Sequence, residues 1–92
     1  MMKRLHLPLN QESFNKVECG EQTEVYITFN TYWYNKIEPL IHEDSIVVFS
    51  YGYTNKRISF LIKDIEIGYG KSEWGAPKKE EVIILKLERR LN

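Results

Sequence analysis

The sequence predicts a mostly β fold of the α+β class, a small antiparallel β-barrel capped by an N-terminal helix. Three observations indicate this fold: five apolar segments with strand periodicity, only one or two short helical patterns, and a change of side-chain parity inside the longest strand. Such a change is typical of a β-bulge, which bends a strand as a closing barrel requires. The length of 92 residues corresponds to a single domain over residues 1–92.

The first half of the chain is predicted to contain two strands and a short helix between them. Leucine at every second position over residues 5–9 indicates the first strand. Asn10 and Gly20 are suited to begin and end a helix over about residues 11–19. Alternating apolar residues over 25–29 then indicate the second strand. The remaining predicted elements are a helical segment over 33–41 that breaks near Pro39, a strand over 46–49, a strand over 57–67 with a bend near Lys63 and Asp64, and a final strand over 82–87.

Charge and cysteine content exclude several classes of protein. Thirteen basic residues balance thirteen acidic ones, so the chain does not rely on bulk positive charge to hold nucleic acid. The single cysteine, Cys19, excludes an internal disulfide and a cysteine-based metal cluster. No cofactor, metal site or catalytic motif is predicted. No segment approaches the roughly 20 apolar residues that cross a bilayer, so we expect a soluble, cytoplasmic protein with no membrane partner.

Aromatic and basic residues are interleaved in the second half of the chain. Residues 47–92 carry nine basic and six acidic side chains, whereas residues 1–46 carry four and seven. Aromatic rings in glycine-containing loops are surfaces on which bases stack, and neighbouring cations bind phosphates. This pattern favours RNA or a nucleotide as the ligand. The predicted stacking residues are Tyr51, Tyr53 and Trp74, and the predicted phosphate contacts are Lys56, Arg57 and Lys71.

The order of motifs resembles a known family. A strand leads into a helix that ends at Gly20, a second strand and the pair Tyr32-Trp33 follow, and a later loop reads Ser-Glu-Trp-Gly-Ala-Pro over residues 72–77. This order resembles the ASCH domain of the PUA-like superfamily, in a small form found in bacteria and phages, over residues 5–87. The resemblance implies binding of RNA or a modified nucleotide in a cleft between barrel and first helix. The residues that would line this cleft are Gln22, Glu24 and Tyr26.

The hallmark residues of the ASCH family are matched only at Gly20. The following hallmark positions fall on Gln22, Val25 and Ile27, which depart from the family pattern. Some family members are amidohydrolases that act on an acylated cytidine, with a lysine and a threonine at the positions of Gln22 and Val25. Because glutamine is no base and valine no nucleophile, we expect binding without catalysis.

Two other functions remain open at the level of sequence. A protein-interaction module, either homodimeric or partner-binding, would use Trp33 and Trp74 as interface anchors. An amidohydrolase would need a nucleophile outside the family pattern, such as Thr23, with Glu24 or Glu73 as its base. The three functions differ in their test, because they predict RNA binding, self-association or partner binding, and turnover of an acylated cytidine.

Overall fold

The computed structural model describes residues 3–41, 44–52 and 54–91. The described elements, in chain order, are β1 (Lys3–Leu9), α1 (Gln11–Glu18), β2 (Glu24–Thr28), α2 (Thr31–Ile37), a 3₁₀ turn (Glu38–Leu40), β3 (Ser45–Tyr51), β4 (Arg57–Gly68), a second 3₁₀ turn (Ser72–Trp74) and β5 (Val82–Arg90). Strands predominate over two short helices, so the predicted mostly β, α+β fold class is confirmed.

The five described strands form one sheet in the order β1-β3-β4-β5-β2. The β1–β3 pair is parallel, and the other three pairs are antiparallel. The sheet curls into a half-barrel, with β1 and β2 as its two edges. The second strand along the chain therefore pairs with the last one.

The predicted bend in the longest strand is confirmed. Ile62 pairs with Leu87, and Asp64 pairs with Lys86, so β4 holds one extra residue, Lys63, between the two pairs. One extra residue on one strand of an antiparallel pair is a β-bulge, and a bulge increases the local twist of the strand. The bulge lets the sheet curl around one core.

Helix α1 begins and ends where its flanking residues predict. The side chain of Asn10 accepts a hydrogen bond of 2.8 Å from the backbone N–H of Ser13, and Gly20 adopts a φ of 86° just after the helix. Phe14 and Val17 are fully buried, and α1 packs against β1 and β3. The predicted N-cap and helix-ending glycine are therefore confirmed.

The hydrophobic core lies between the inner face of the sheet and the helices. Val25 and Ile27 of β2 are buried, as their alternation predicts. Phe29 departs from that alternation, because β2 ends at Thr28 and the Phe29 ring is 45% exposed. Trp33 of α2 is half-buried and packs against the core. It therefore contributes to the packing of the fold.

Candidate functional site

One loop, residues 70–76, folds over the outer face of β2, and we call it the Trp74 loop. The backbone N–H of Lys71 donates a hydrogen bond of 3.0 Å to the hydroxyl of Tyr26. That hydroxyl donates one of 2.7 Å to the carboxylate of Glu24. The loop closes on itself through the N–H of Ala76, which donates to the Lys71 carbonyl at 3.2 Å. Tyr26 and Glu24 therefore hold the loop in place.

Gly70 lies directly against the Tyr26 ring. A Cβ at Gly70 would stand 2.5 Å from Cε1 of Tyr26 and 2.7 Å from Cβ of Ala76. We expect Gly70→Ala to push the loop off Tyr26 and to lower the free energy of unfolding by about 1–3 kcal/mol in urea denaturation. Gly68→Ala is the matched control, because its Cβ would stand 3.8 Å from Ile84. An equal loss in the free energy of unfolding for Gly70→Ala and Gly68→Ala would contradict the close approach of Gly70 to the Tyr26 ring.

The surroundings of the Tyr26 hydroxyl raise its pKa. Burial above all, together with the Glu24 carboxylate, raises the pKa of Tyr26 from 10.0 to about 12, although the Lys71 N–H opposes this rise. Because the pKa is raised in the folded state, its contribution to stability is present below pH 10 and is lost as the pH rises through about 12.

A variant without the hydroxyl isolates this titration. Between pH 10 and 12, we expect the free energy of unfolding of the wild-type protein to fall more steeply than that of Tyr26→Phe. Urea denaturation at stepped pH measures both slopes. Parallel slopes would show that Tyr26 titrates alike in the folded and unfolded chains.

A cleft of about 270 Å³ separates α1 from the Trp74 loop. Lys16 connects its two walls, because Nζ lies 3.2 Å from the Glu12 carboxylate and donates a hydrogen bond of 3.3 Å to the carbonyl of Glu73. We call this space the Trp74 cleft. The residues that line it are Asn10, Glu12, Ser13, Lys16, Gln22, Ser72, Glu73, Trp74 and Gly75.

An aromatic ring and an ammonium group meet at this cleft. Nζ of Lys71 lies 4.4 Å from the centroid of the Trp74 ring, a cation–π contact. Lys71 is exposed and Trp74 is half-buried. Trp74 and Lys16 thus line the cleft, and the Lys71 ammonium lies over one face of the Trp74 ring. This combination suits a planar ring that carries an anionic group.

Gln22 lies inside the Trp74 cleft and is 3% exposed. Its amide Nε2 donates a hydrogen bond of 2.8 Å to the backbone carbonyl of Glu24. Its Oε1 is buried and has no hydrogen-bond partner. The sequence predicts Gln22 as a cleft residue but does not predict its burial.

Two other predicted site residues lie on the opposite flank of α1. The Tyr51 ring packs edge-on against Phe14, with centroids 5.2 Å apart. Nζ of Lys56 lies 3.4 Å from the Glu18 carboxylate and 5.4 Å from the Phe14 centroid. Glu18 and Lys16 are two residues apart and so point about 200° apart around the helix. The structure therefore does not bring Tyr51 and Lys56 to the Trp74 cleft.

The remaining predicted residues also lie away from the cleft or outside the described chain. Nη1 of Arg57 donates to the backbone carbonyls of Thr54 and Lys56. Tyr53 lies outside the described residues. The structure thus groups five of the nine predicted site residues around the Trp74 loop: Gln22, Glu24, Tyr26, Lys71 and Trp74.

Sequence reasoning missed the residues that α1 contributes to the cleft. Ser13 and Lys16 line it, yet neither belongs to the interleaved aromatic and basic pattern. The available signal is the spacing of Glu12 and Lys16, which forms an i,i+4 ion pair on the exposed side of the helix. That spacing places Lys16 on a surface face but cannot show which loop the face meets.

A separate apolar surface lies between α2 and β4. Four exposed side chains form it, Phe29 (45% exposed), Tyr34 (41%), Ile41 (47%) and Ile67 (46%). They line two adjoining depressions that share Tyr34 and Ile67. Exposed apolar patches of this kind often mark contact sites for other proteins.

Comparison of the chain with protein-family models, with curated proteins and with solved structures finds no match. Within residues 3–41, 44–52 and 54–91, no helix is long and apolar enough to cross a membrane. The same residues hold no group of three or more His, Cys, Asp or Glu side chains placed to bind a metal ion.

Proposed function

We propose that this chain is an ASCH-like domain of the PUA-like superfamily that binds RNA or a modified nucleotide in the Trp74 cleft, without catalysis. One observation carries the proposal: Trp74 and Lys16 line one cleft beside the first helix, and the Lys71 ammonium lies 4.4 Å from the centroid of the Trp74 ring. An RNA ligand also fits the cytoplasmic location predicted from the sequence.

The Trp74 ring and the lysine ammonium groups have different roles in the proposed binding. A base stacks on the Trp74 ring, a contact that tolerates any base because each has a π-face. The phosphate group that follows the base binds the ammonium group of Lys71, which is exposed and lies near the ring. Lys16 is already paired with Glu12 and with the Glu73 carbonyl. It therefore connects the two walls of the cleft.

The chemistry of the cleft favours binding over hydrolysis. Gln22 provides an amide, which neither abstracts a proton at neutral pH nor attacks a carbonyl. The Glu24 carboxylate accepts a hydrogen bond of 2.7 Å from the Tyr26 hydroxyl and so helps to hold the Trp74 loop. The backbone carbonyl of Thr23 pairs with the N–H of Leu87, and its side chain is exposed. None of these contacts forms a nucleophile–base pair.

Titration with short single-stranded RNA at two salt concentrations tests the proposed function, with tryptophan fluorescence as the signal. We expect saturable binding that weakens with salt, with a logarithmic slope of about −0.7 for each phosphate contacted. Lys71→Gln should reduce that slope by about one contact. Lys63→Gln, at the β4 bulge, should leave it unchanged. Absence of binding at low salt would remove RNA from the proposal.

The apolar surface favours self-association as a second candidate function. Phe29, Tyr34, Ile41 and Ile67 are exposed on one side of the molecule, and the formal net charge of zero opposes association little. If two copies pair through this surface, light scattering should give a dimer mass that Tyr34→Ser with Ile67→Ser returns to the monomer. A monomer at high wild-type concentration would remove this candidate.

A further inference from the structure

The orientation of the Gln22 amide is fixed by the backbone carbonyl of Glu24, two residues further along the chain. The Glu24 carbonyl is purely an acceptor, so the amide nitrogen of Gln22 must face it. The two atoms are 2.8 Å apart. The carbonyl end of the amide, Oε1, is thereby turned away from Glu24 and cannot be exchanged with the nitrogen without losing this bond.

Oε1 of Gln22 is an unused acceptor. Among the described residues, it is the one buried side-chain nitrogen or oxygen atom without a hydrogen-bond partner. Buried polar atoms in folded proteins nearly always have a partner. An apolar side chain of similar volume would fill the same space without this cost. Because Gln22 lines the Trp74 cleft, an unused acceptor on its side chain is suited to a donor that arrives with a ligand.

Several other polar groups of the cleft already have partners. The side-chain oxygen of Asn10 accepts from the N–H of Ser13 at 2.8 Å. The Glu12 carboxylate pairs with Lys16, and Lys16 also donates to the carbonyl of Glu73. Gln22 Oε1 differs from these groups, because it is a buried acceptor without a partner in a residue that lines the cleft.

We infer that Gln22 selects the ligand by accepting a hydrogen bond from an exocyclic amino group of the base. The preferred nucleotides then carry an exocyclic amino group, and a base without this donor leaves Oε1 buried and unpaired. This inference rests on the proposed function, since it assigns the base-reading group within the same cleft. Trp74 supplies affinity for any base, and Gln22 supplies the choice among them.

Two pairs of nucleotides that differ in one amino group test the inference. Adenosine 5′-monophosphate is compared with purine riboside 5′-monophosphate, and cytidine 5′-monophosphate with pyrimidin-2-one riboside 5′-monophosphate. Each analogue lacks the amino group and adds no bulk, so a clash does not explain weaker binding. Isothermal titration calorimetry with the wild-type protein should show roughly tenfold tighter binding of the amino-bearing member of at least one pair.

Gln22→Met assigns the preference to the side chain. Methionine keeps a similar length and volume but has no strong acceptor. We expect this variant to bind both members of a pair alike. A circular dichroism melt checks its folding. If the variant unfolds, equal wild-type binding of both members of both pairs still overturns the inference, because that comparison needs no substitution.

The outcomes separate this inference from the proposed function. Equal wild-type affinity for both members of both pairs overturns the inference and leaves RNA or nucleotide binding standing. A preference that survives in folded Gln22→Met removes Gln22 as the reading residue. If neither the nucleotides nor single-stranded RNA binds, the proposed function fails, and the inference fails with it.

Discussion

Replacing Phe14 with alanine is expected to lower the free energy of unfolding by about 3–5 kcal/mol. Phe14 is fully buried and packs edge-on against Tyr51, so its removal leaves a cavity beneath α1. Domains of this kind are stable by only about 5–15 kcal/mol. Urea denaturation followed by circular dichroism should therefore show a much lower midpoint or a largely unfolded chain.

Phe29→Ala is the matched control for this prediction. It removes the same side chain from a ring that is 45% exposed and lies just after β2. The surrounding structure loses little packing, so we expect a change within about 1 kcal/mol. Comparable losses for the two phenylalanines would show that α1 is not anchored through Phe14.

Replacing Trp74 with alanine is expected to weaken RNA binding by about ten- to one-hundred-fold. Stacking of a base on an aromatic side chain contributes about 1–3 kcal/mol, and Trp74 lines the proposed cleft. The ring is half-buried at the molecular surface. The protein should therefore stay folded, and fluorescence polarisation of labelled single-stranded RNA measures the loss.

Tyr69→Ala is the control for the Trp74 substitution. Tyr69 is 66% exposed and lies just before the Trp74 loop, but it does not line the cleft. Its removal should change the affinity less than twofold. Unchanged affinity in Trp74→Ala would remove the ring from the binding surface. An equal loss in both variants would indicate stacking spread along the segment rather than in the cleft.

Local patterns predict the elements of this fold because their causes are local. The helix over Gln11–Glu18 is set by an N-cap at Asn10 and a left-handed glycine at Gly20, both readable from adjacent residues. The parity change in β4 predicts the bulge that appears at Lys63. The ends of strands are harder to predict from sequence. Phe29 continues the apolar alternation, although β2 ends at Thr28.

The candidate site is only partly predictable because it depends on contacts between distant parts of the chain. Lys71 meets Tyr26 across 45 positions of sequence, and no spacing rule links the two. The interleaved aromatic and basic pattern also groups Lys56 with Lys71. Helix α1 separates them in space, since Lys56 pairs with Glu18 on the far flank. Composition can therefore name candidate residues but cannot divide them between the two sides of a helix.

The pairing of β2 with β5 has a consequence for the order in which the protein can be assembled. During synthesis from the N-terminus, β1, β3 and β4 can join before β5 emerges, but β2 must wait, because Glu24 pairs with Lys86 and Thr28 with Val82. A nascent chain that stops before residue 82 exposes the open side of β4 and leaves β2 without a neighbour. Unpaired strand edges promote aggregation, so shielding by a chaperone should matter most over this interval.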